Sequence, residues 1–426
     1  MNTSPSSPPL GREEPHNTAF YLNHALPPSR ILRSFPLPLL CLLSVALLGL
    51  SFLFLPAVSS WIVWLLVALL RLLSFVVCVL LFLLWWCQSA LLYMPSFMGR
   101  HHLQRSPKHN SPGFISPEEH NMEFSEEWLL TPDGVTLHAW LITQPTSPSQ
   151  HPTLIFFHGN AGNIGFRLPN AKSLYRLCGV NILMLEYRGF GNSSGTPSEE
   201  GLRRDARCAL SWLRQHGRSR GIDADNIFLF GRSLGGAVAF DVAAGGSGAG
   251  IRGVIVENTF TSIADMVLVL MARIATAVRR GRSHAMDTEA AELKGGLVER
   301  GIRSLLFFFM TSHWNTESRL PSVRCPVLLI SGDRDELVPT WQMKRLHDRM
   351  RQQGGEVEWL SIVGGQHNDT YMRGVSQGYW QRFAAFVDKH RKHSEAERGQ
   401  QPGPSHPSAA SAGHAPSDVS SREESR

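Results

Sequence analysis

Charge is missing over long stretches of this 426-residue chain. No residue from Ser34 to Leu70 is charged, nor any from Leu72 to Gly99, and Arg71 alone separates the two runs. A helix packed on the surface of a soluble domain keeps a polar stripe, and no amphipathic period survives here. Cysteine is also scarce: there are six, none at the spacing of a zinc or iron–sulfur site. Cys41, Cys78 and Cys87 lie in the apolar runs, where Cys87 is placed for acylation. Cys178, Cys208 and Cys325 read as buried thiols and not as a disulfide framework, which favours a reducing compartment. The glycine-rich stretch Arg188 to Gly195 lacks the Gly-Lys-Ser/Thr ending of a phosphate loop and does not open into a helix. The net charge is only +6, with arginine scattered and no basic patch interleaved with aromatics, so nucleic acid is not an expected partner. No internal repeat, metal set or cofactor motif is present, and no cofactor is expected.

The uncharged runs are themselves the first positive signal. About 20 apolar residues cross a bilayer, so residues 35–93 hold one or two spans. Pro56, Ser59 and Ser60 divide them into Leu39 to Leu55 and Trp61 to Trp86, with Trp85, Trp86 and Tyr93 suited to an interfacial belt. The apolar region begins too late and runs too long for a cleaved signal peptide. With two spans, Arg12, Arg30 and Arg33 share the cytoplasmic face with Arg100, Arg105 and Lys108, as the positive-inside rule favours. With one span, the remainder of the chain lies opposite the N-terminus. Residues 1–34 and 391–426 are rich in Pro, Ser, Gly and charge, a composition expected to be disordered; 94–124 reads as a linker.

Beyond the linker, short apolar strands alternate with helical patterns, the signature of an α/β fold with a mostly parallel sheet covered on both faces. Strands are expected at Thr153 to Phe157, Asn181 to Tyr187, Phe228 to Phe230, Gly253 to Glu257, Cys325 to Ile330 and Val357 to Val363. Helices are expected at Leu202 to Gln215, Ala237 to Ala244 and Trp341 to Met350, with an amphipathic C-terminal helix through Tyr379, Trp380, Phe383, Phe386 and Val387. Glu126 to Thr131 and Val135 to Thr143, joined at Pro132-Asp133-Gly134, read as an opening hairpin.

Three of the strand ends carry chemistry. Gly231-Arg232-Ser233-Leu234-Gly235 is a Gly-x-Ser-x-Gly turn between a strand and a helix, a geometry that exposes a strained nucleophilic serine at its apex. An activated serine needs a base, and the base needs an orienting acid, in the chain order Ser, Asp or Glu, His. Asp333 and Asp335 both follow the strand at Cys325. Asp335 is favoured, within Gly332-x-x-Asp335-x-x-Val338-Pro339, and Asp333 reads as a turn residue. His367 follows the last strand and is the expected base; position distinguishes it from the other histidines among 18. The backbone N–H groups of Leu234 and Asn160 are the expected oxyanion donors, with Ala161 as the alternative to Asn160. His158 reads as a loop-holding residue and not as a second base.

The stretches His158 to Gly165, Arg167 to Ala171, Tyr187 to Gly191, Phe228 to Ala239, Val256 to Phe260 and His367 to Thr370 resemble the membrane-anchored branch of the α/β-hydrolase family, over most of residues 125–390. The resemblance implies a serine hydrolase, often grouped with protein-acyl thioesterases, and a single span with the enzyme opposite the N-terminus. Glu186 departs from it, standing where an aspartate is usual, and residues 279–300 read as an insertion. The connection between the strand at Gly253 and the one at Cys325 exceeds what an α/β crossover needs. The surplus is read as a cap at about 261–320 with an apolar lining from Met266 to Leu270, Leu305 to Met310 and the cluster Phe307-Phe308-Phe309. An apolar cap beside a membrane suits long acyl chains. The expected function is therefore hydrolysis of lipid-like esters or thioesters, S-acylated proteins included. Phospholipase or acylglycerol lipase activity, or a non-catalytic membrane scaffold, are the alternatives. Asn192-Ser193-Ser194 and Asn368-Asp369-Thr370 are glycan acceptors. A glycan beside His367 would crowd the site, which tilts the reading toward a two-span hairpin and a cytosolic catalytic domain.

Overall fold

The computed structural model describes residues 61–95, 106–280, 301–304, 306 and 309–392. The candidate span Leu39 to Leu55, both termini, most of the 279–300 segment, and Phe307 and Phe308 lie outside the described residues. Two compact units divide within the first helix, at Leu83/Leu84.

That helix, α1, spans Trp61–Leu92. At 1.5 Å per residue its 32 residues reach about 48 Å, well beyond the ~30 Å of a bilayer's hydrocarbon. Large apolar side chains stand in the open along it, Trp64, Leu70 and Phe75 among them. The helix thus has the length and composition to cross a membrane. The candidate span read at Trp61 to Trp86 is a helix that continues to Leu92.

In the second unit, β1 (Phe124–Leu130) and β2 (Thr136–Ile142) form the expected hairpin. There follow β3 (Thr153–Phe157), α2 (Leu168–Cys178), β4 (Asn181–Leu185), α3 (Glu199–His216), β5 (Ile227–Arg232), α4 (Leu234–Ala244) and β6 (Ile251–Glu257). Then come α5 (Ile263–Arg280), β7 (Val327–Gly332), α6 (Thr340–Gln352), β8 (Val357–Ile362) and α7 (Tyr379–His390). The eight strands make one sheet in the order β1-β2-β4-β3-β5-β6-β7-β8. Only β2 runs against its neighbours; from β4 to β8 every pairing is parallel. Parallel strands buried on both faces must be apolar throughout, and alternate residues supply two separate cores. Ile155, Leu229 and Leu329 face the layer of α3, α4 and α6. Leu154, Phe228 and Leu328 face the layer of α2 and α7.

The turn from β5 into α4 is the tightest point of the fold. Ser233 is held at φ 55°, ψ −121°, outside the regions an L-residue prefers, at a cost on the order of 1–3 kcal/mol. Its backbone is pinned by Ser233 N donating to Glu257 O (3.0 Å) and by Thr259 Oγ1 donating to Ser233 O (2.8 Å). A Cβ on Gly231 would collide with the backbone of Gly235. One on Gly235 would meet the carbonyls of Phe157 and His158, the latter at 2.8 Å. These are backbone atoms of α4, of β3 and of the residue that follows β3, and they have no room to move. Gly235→Val should therefore lower folded yield and Tm sharply as well as activity; a Gly235→Val protein melting within about 2 °C of wild type would contradict this packing.

Candidate active site

The three sequence-selected side chains come from the C-terminal ends of β5, β7 and β8. Neighbouring parallel strands place those ends along one edge of the sheet. His367 Nδ1 lies 2.8 Å from Asp335 Oδ2, and both side chains are buried. The other oxygen, Asp335 Oδ1, accepts from the N–H groups of Leu337 and Val338, each at 2.8 Å. A carboxylate so held must orient the imidazole with Nδ1 protonated and Nε2 free to accept. Asp333 has a different task. Its Oδ1 accepts from Gly364 N at 2.6 Å and ties the loop after β7 to the loop after β8.

Sequence reasoning missed what holds the His367 loop. Asn258, just past β6 and in the left-handed region at φ 49°, is buried. Its Nδ2 donates to Thr370 Oγ1 (2.8 Å) and to the carbonyls of Gln366 and His367, while its Oδ1 accepts from Gly332 N (2.8 Å). One side chain thus joins three strand ends. Glu336 Oε2 also accepts from His367 N, at 3.0 Å. The motif Val256 to Phe260 was visible in the chain, but nothing local marks Asn258 as a clamp. Arg188 was likewise read only as part of a glycine turn. It pairs with Asp205 and with Asp133 at the tip of the opening hairpin, both at 2.8 Å.

The loop after β3 carries the expected oxyanion donor. The N–H groups of Asn160, Ala161 and Leu234 donate to no protein acceptor among the described residues. Below the loop lies a buried pair. His158 Nδ1 is 2.7 Å from Gly159 O, an oxygen that can only accept, so Nδ1 carries the proton and Nε2 is bare. Glu186 Oε1 sits 3.5 Å from that Nε2, and Glu186 Oε2 accepts from Ile164 N. Burial pushes the Glu186 carboxyl up to about 8. Burial, with the charge of Arg167 adding to it, brings His158 down to about 3. The pair is therefore neutral near pH 7, and His158 braces the loop. The longer Glu186 fills the space that Gly191 leaves open; a Cβ on Gly191 would overlap the carboxyl.

The pair has a consequence for stability. In the unfolded chain the Glu186 carboxyl ionises near 4.5, and in the folded one near 8. The unfolded state releases its proton first, so this group's contribution to stability falls as pH rises through that window and levels beyond it. Glu186→Gln keeps the neutral form. Its Tm relative to wild type should rise from pH 4.5 to pH 8 and then stay constant. A difference independent of pH would refute the protonated carboxyl.

Further along the same edge Arg232 pairs with Glu257 at 2.5 Å and lies over the ring of Tyr371, 4.9 Å from its centroid. Tyr379 donates to the other Glu257 oxygen. The three half-buried cysteines Cys178, Cys208 and Cys325 are free thiols, raised by burial to about 12, 11 and 11 respectively, and so are poor nucleophiles. Among the described residues no cluster of His, Cys, Asp and Glu is arranged to hold a metal.

Strand order, the positive-φ serine between β5 and α4, and an Asp–His pair from the next strand ends define an α/β-hydrolase. The family model described as "Serine aminopeptidase, S33" matches residues 148–368. Alpha/beta hydrolase domain-containing protein WAV2 of Arabidopsis thaliana is 34% identical over 310 residues, covering 73% of this chain and 90% of the relative. Protein bem46 of Schizosaccharomyces pombe is 35% identical over 282 residues, 66% of this chain and 82% of the relative. YNL320W of Saccharomyces cerevisiae, named a membrane protein, is 30% identical over 279 residues, 64% and 82%. Among solved structures, the Pyrococcus furiosus esterase Pf2001 shares the fold, with TM-score 0.50 and 18% identity over 69% of this chain and all of that one. The chain belongs to the α/β-hydrolase domain-containing proteins, a family with an N-terminal apolar helix, and is a hydrolase.

Proposed function

We propose that the chain is a membrane-anchored serine hydrolase that cleaves carboxylic ester or thioester bonds, S-acylated proteins among its substrates. The observation that carries this reading is a strained, positive-φ Ser233 on the same sheet edge as the His367–Asp335 pair. Ser233 Oγ attacks the acyl carbonyl while His367 Nε2 takes its proton. Asp335 holds the resulting imidazolium through Nδ1–H. The carbonyl oxygen, now an oxyanion, is received by the N–H groups of Leu234 and Asn160. His367 returns the proton to the leaving alcohol or thiol. Water, deprotonated by the same imidazole, then releases the acid from Ser233.

The lean toward apolar acyl groups rests on α1 and on α5, where Leu270, Met271 and Ile274 are exposed beside the β6–β7 connection. A serine aminopeptidase, as the matching family is described, needs a free carboxylate to take the substrate's ammonium. Two carboxylates beside the His367 loop already carry hydrogen bonds: Glu336 from His367 N, and Asp369 from Gln366 N and Arg373. That favours the ester reading. Asn368 is exposed next to His367, and a cytosolic site would leave it unglycosylated.

The test uses purified full-length protein and its Ser233→Ala variant, assayed on S-acyl peptides, acyl esters of rising chain length, a lysophospholipid and an aminoacyl anilide. Ser233-dependent turnover of ester or thioester, increasing with chain length, is the expected result. Preference for the anilide would overturn it, and preference for the lysophospholipid would place the enzyme among phospholipases.

A further inference from the structure

The chain does not leave the domain where α1 ends. Tyr93 N still bonds to Ser89 O (2.9 Å), and the next residue joins the loop after β3. Met94 N donates to Asn160 O (2.9 Å), Gly162 N donates to Met94 O (3.1 Å), and Met94 pairs with Ala161 as a parallel bridge. The Asn160 side chain completes the contact, Nδ2 donating to Leu92 O at 3.0 Å. Tyr93 between them is buried and accepts from Trp314 Nε1 at 2.9 Å. One turn earlier, Gln88 Nε2 donates to Phe309 O and Gln88 Oε1 accepts from Thr311 N, at 2.8 and 2.7 Å. The last turns of α1 are latched to the β6–β7 connection on one side and to the oxyanion loop on the other.

Arg167 Nη2 holds the Ala161 carbonyl at 2.6 Å and His158 braces Gly159, but neither of these bonds reaches the peptide between Asn160 and Ala161 or the Asn160 side chain; those are held from Leu92 and Met94. Gly159 and Gly162 flank the two candidate donors, and Gly162 has φ 69°. A glycine-flanked peptide rotates freely unless something fixes its plane. Met94 N–H fixes the peptide between Asn160 and Ala161 by its oxygen, which sets the direction of the Ala161 N–H on the opposite side. The Leu92 carbonyl fixes Asn160 by its side chain and leaves its N–H unoccupied. An oxyanion donor works only when aimed in advance, and removing one costs about 10²–10³ in rate.

We propose that Leu92–Met94 is a positioning element of the oxyanion loop, so that the exit of the apolar helix is a working part of the active site and not only a tether. The inference rests on the Ser233 hydrolase reading above. It makes two of this chain's backbone groups, Met94 N–H and Leu92 C=O, responsible for transition-state stabilisation without touching substrate.

The experiment measures fluorophosphonate labelling of Ser233 in the full-length protein in detergent micelles, resolving kinact from KI, with Tm recorded alongside. The probe's phosphoryl oxygen occupies the oxyanion hole, so no natural substrate is needed. Met94→Pro deletes the donor to Asn160 O. Asn160→Ala deletes the bond to Leu92 O while keeping the backbone N–H, and its site is only partly buried, so folding should survive. Both should lower kinact about 10- to 100-fold with KI and Tm close to wild type. Labelling within twofold of wild type in both variants overturns the proposal. So does a change confined to KI, or a slowing in both that tracks a fall in Tm. Wild-type protein that fails to label would reject the nucleophile itself, and this proposal with it.

Discussion

Ser233→Ala should reduce turnover by on the order of 10⁵–10⁶ and abolish fluorophosphonate labelling, while Tm and membrane association stay at wild-type values. The magnitude follows from the way a nucleophile, base and acid act as a unit: removing the serine removes nearly all that the three supply. The N–H groups of Leu234 and Asn160 and the bound geometry remain, so hydrolysis about 10³–10⁴-fold above the uncatalysed rate should persist. The fold should tolerate the change because the bonds that shape the turn are made by backbone. Ser233 N to Glu257 O, Gly236 N to Ser233 O and Thr259 Oγ1 to Ser233 O do not involve the hydroxyl. Alanine also carries the same Cβ into the same positive-φ conformation, so no new strain arises. Melting curves and labelling of both proteins by an activity-based probe check this directly. Turnover by Ser233→Ala within tenfold of wild type would remove Ser233 from the mechanism.

What the chain reveals unaided, and what it conceals, divides along a physical line. Local patterns were readable. Uninterrupted apolar runs of four residues bounded by turn residues, such as Leu154 to Phe157 and Val327 to Ile330, read as strands buried on both faces, and they are. Pro132-Asp133-Gly134 made the hairpin turn, and Gly231 and Gly235 marked the place where β5 and α4 meet. Helix ends were less readable. α3 begins at Glu199, three residues before its expected start, because Ser198 caps it by accepting from Gly201 N. The β4 strand stops at Leu185 because Glu186 and Tyr187 turn inward to the loop after β3, where Tyr187 donates to the His158 carbonyl. Long-range polar partners were hidden altogether. Asn258 holds residues 74 to 112 positions away, and the Tyr93–Trp314 bond closes 221 positions. Such pairs have no period and no spacing, so only the folded sheet brings them together.

Those concealed contacts change what the site depends on. Asn258 and Glu336 hold the His367 loop, and Leu92, Met94 and Arg167 hold the Asn160 loop. The proposed base and the candidate oxyanion donors are thus held by residues outside the motifs that identify them. This is the usual relation between reacting groups and their supports: the chemistry sits on loops, and precision comes from what fixes the loops.

The choice between two aspartates two residues apart follows from the same logic. Asp335→Asn should lower kcat by about 10³–10⁴, whereas Asp333→Asn should cost less than about tenfold. In wild type, Asp335 Oδ2 receives the Nδ1 proton of His367 and Oδ1 is fixed by Leu337 and Val338. An asparagine there has one oxygen for two demands. The two backbone N–H groups can be satisfied only by the amide oxygen, which turns the NH₂ toward His367. That arrangement favours the tautomer with Nδ1 bare and the proton on Nε2, where it can no longer accept from Ser233, and it removes the charge that stabilises the imidazolium. Asp333 faces no imidazole. Its oxygen accepts from Gly364 N, a bond an asparagine oxygen also makes, so the loss is confined to a charge at a turn. Both variants should melt near wild type, since every buried acceptor keeps a donor. Comparing kcat of the two at matched folded concentration tests the assignment, and a larger loss at Asp333 than at Asp335 would transfer the role of acid to Asp333.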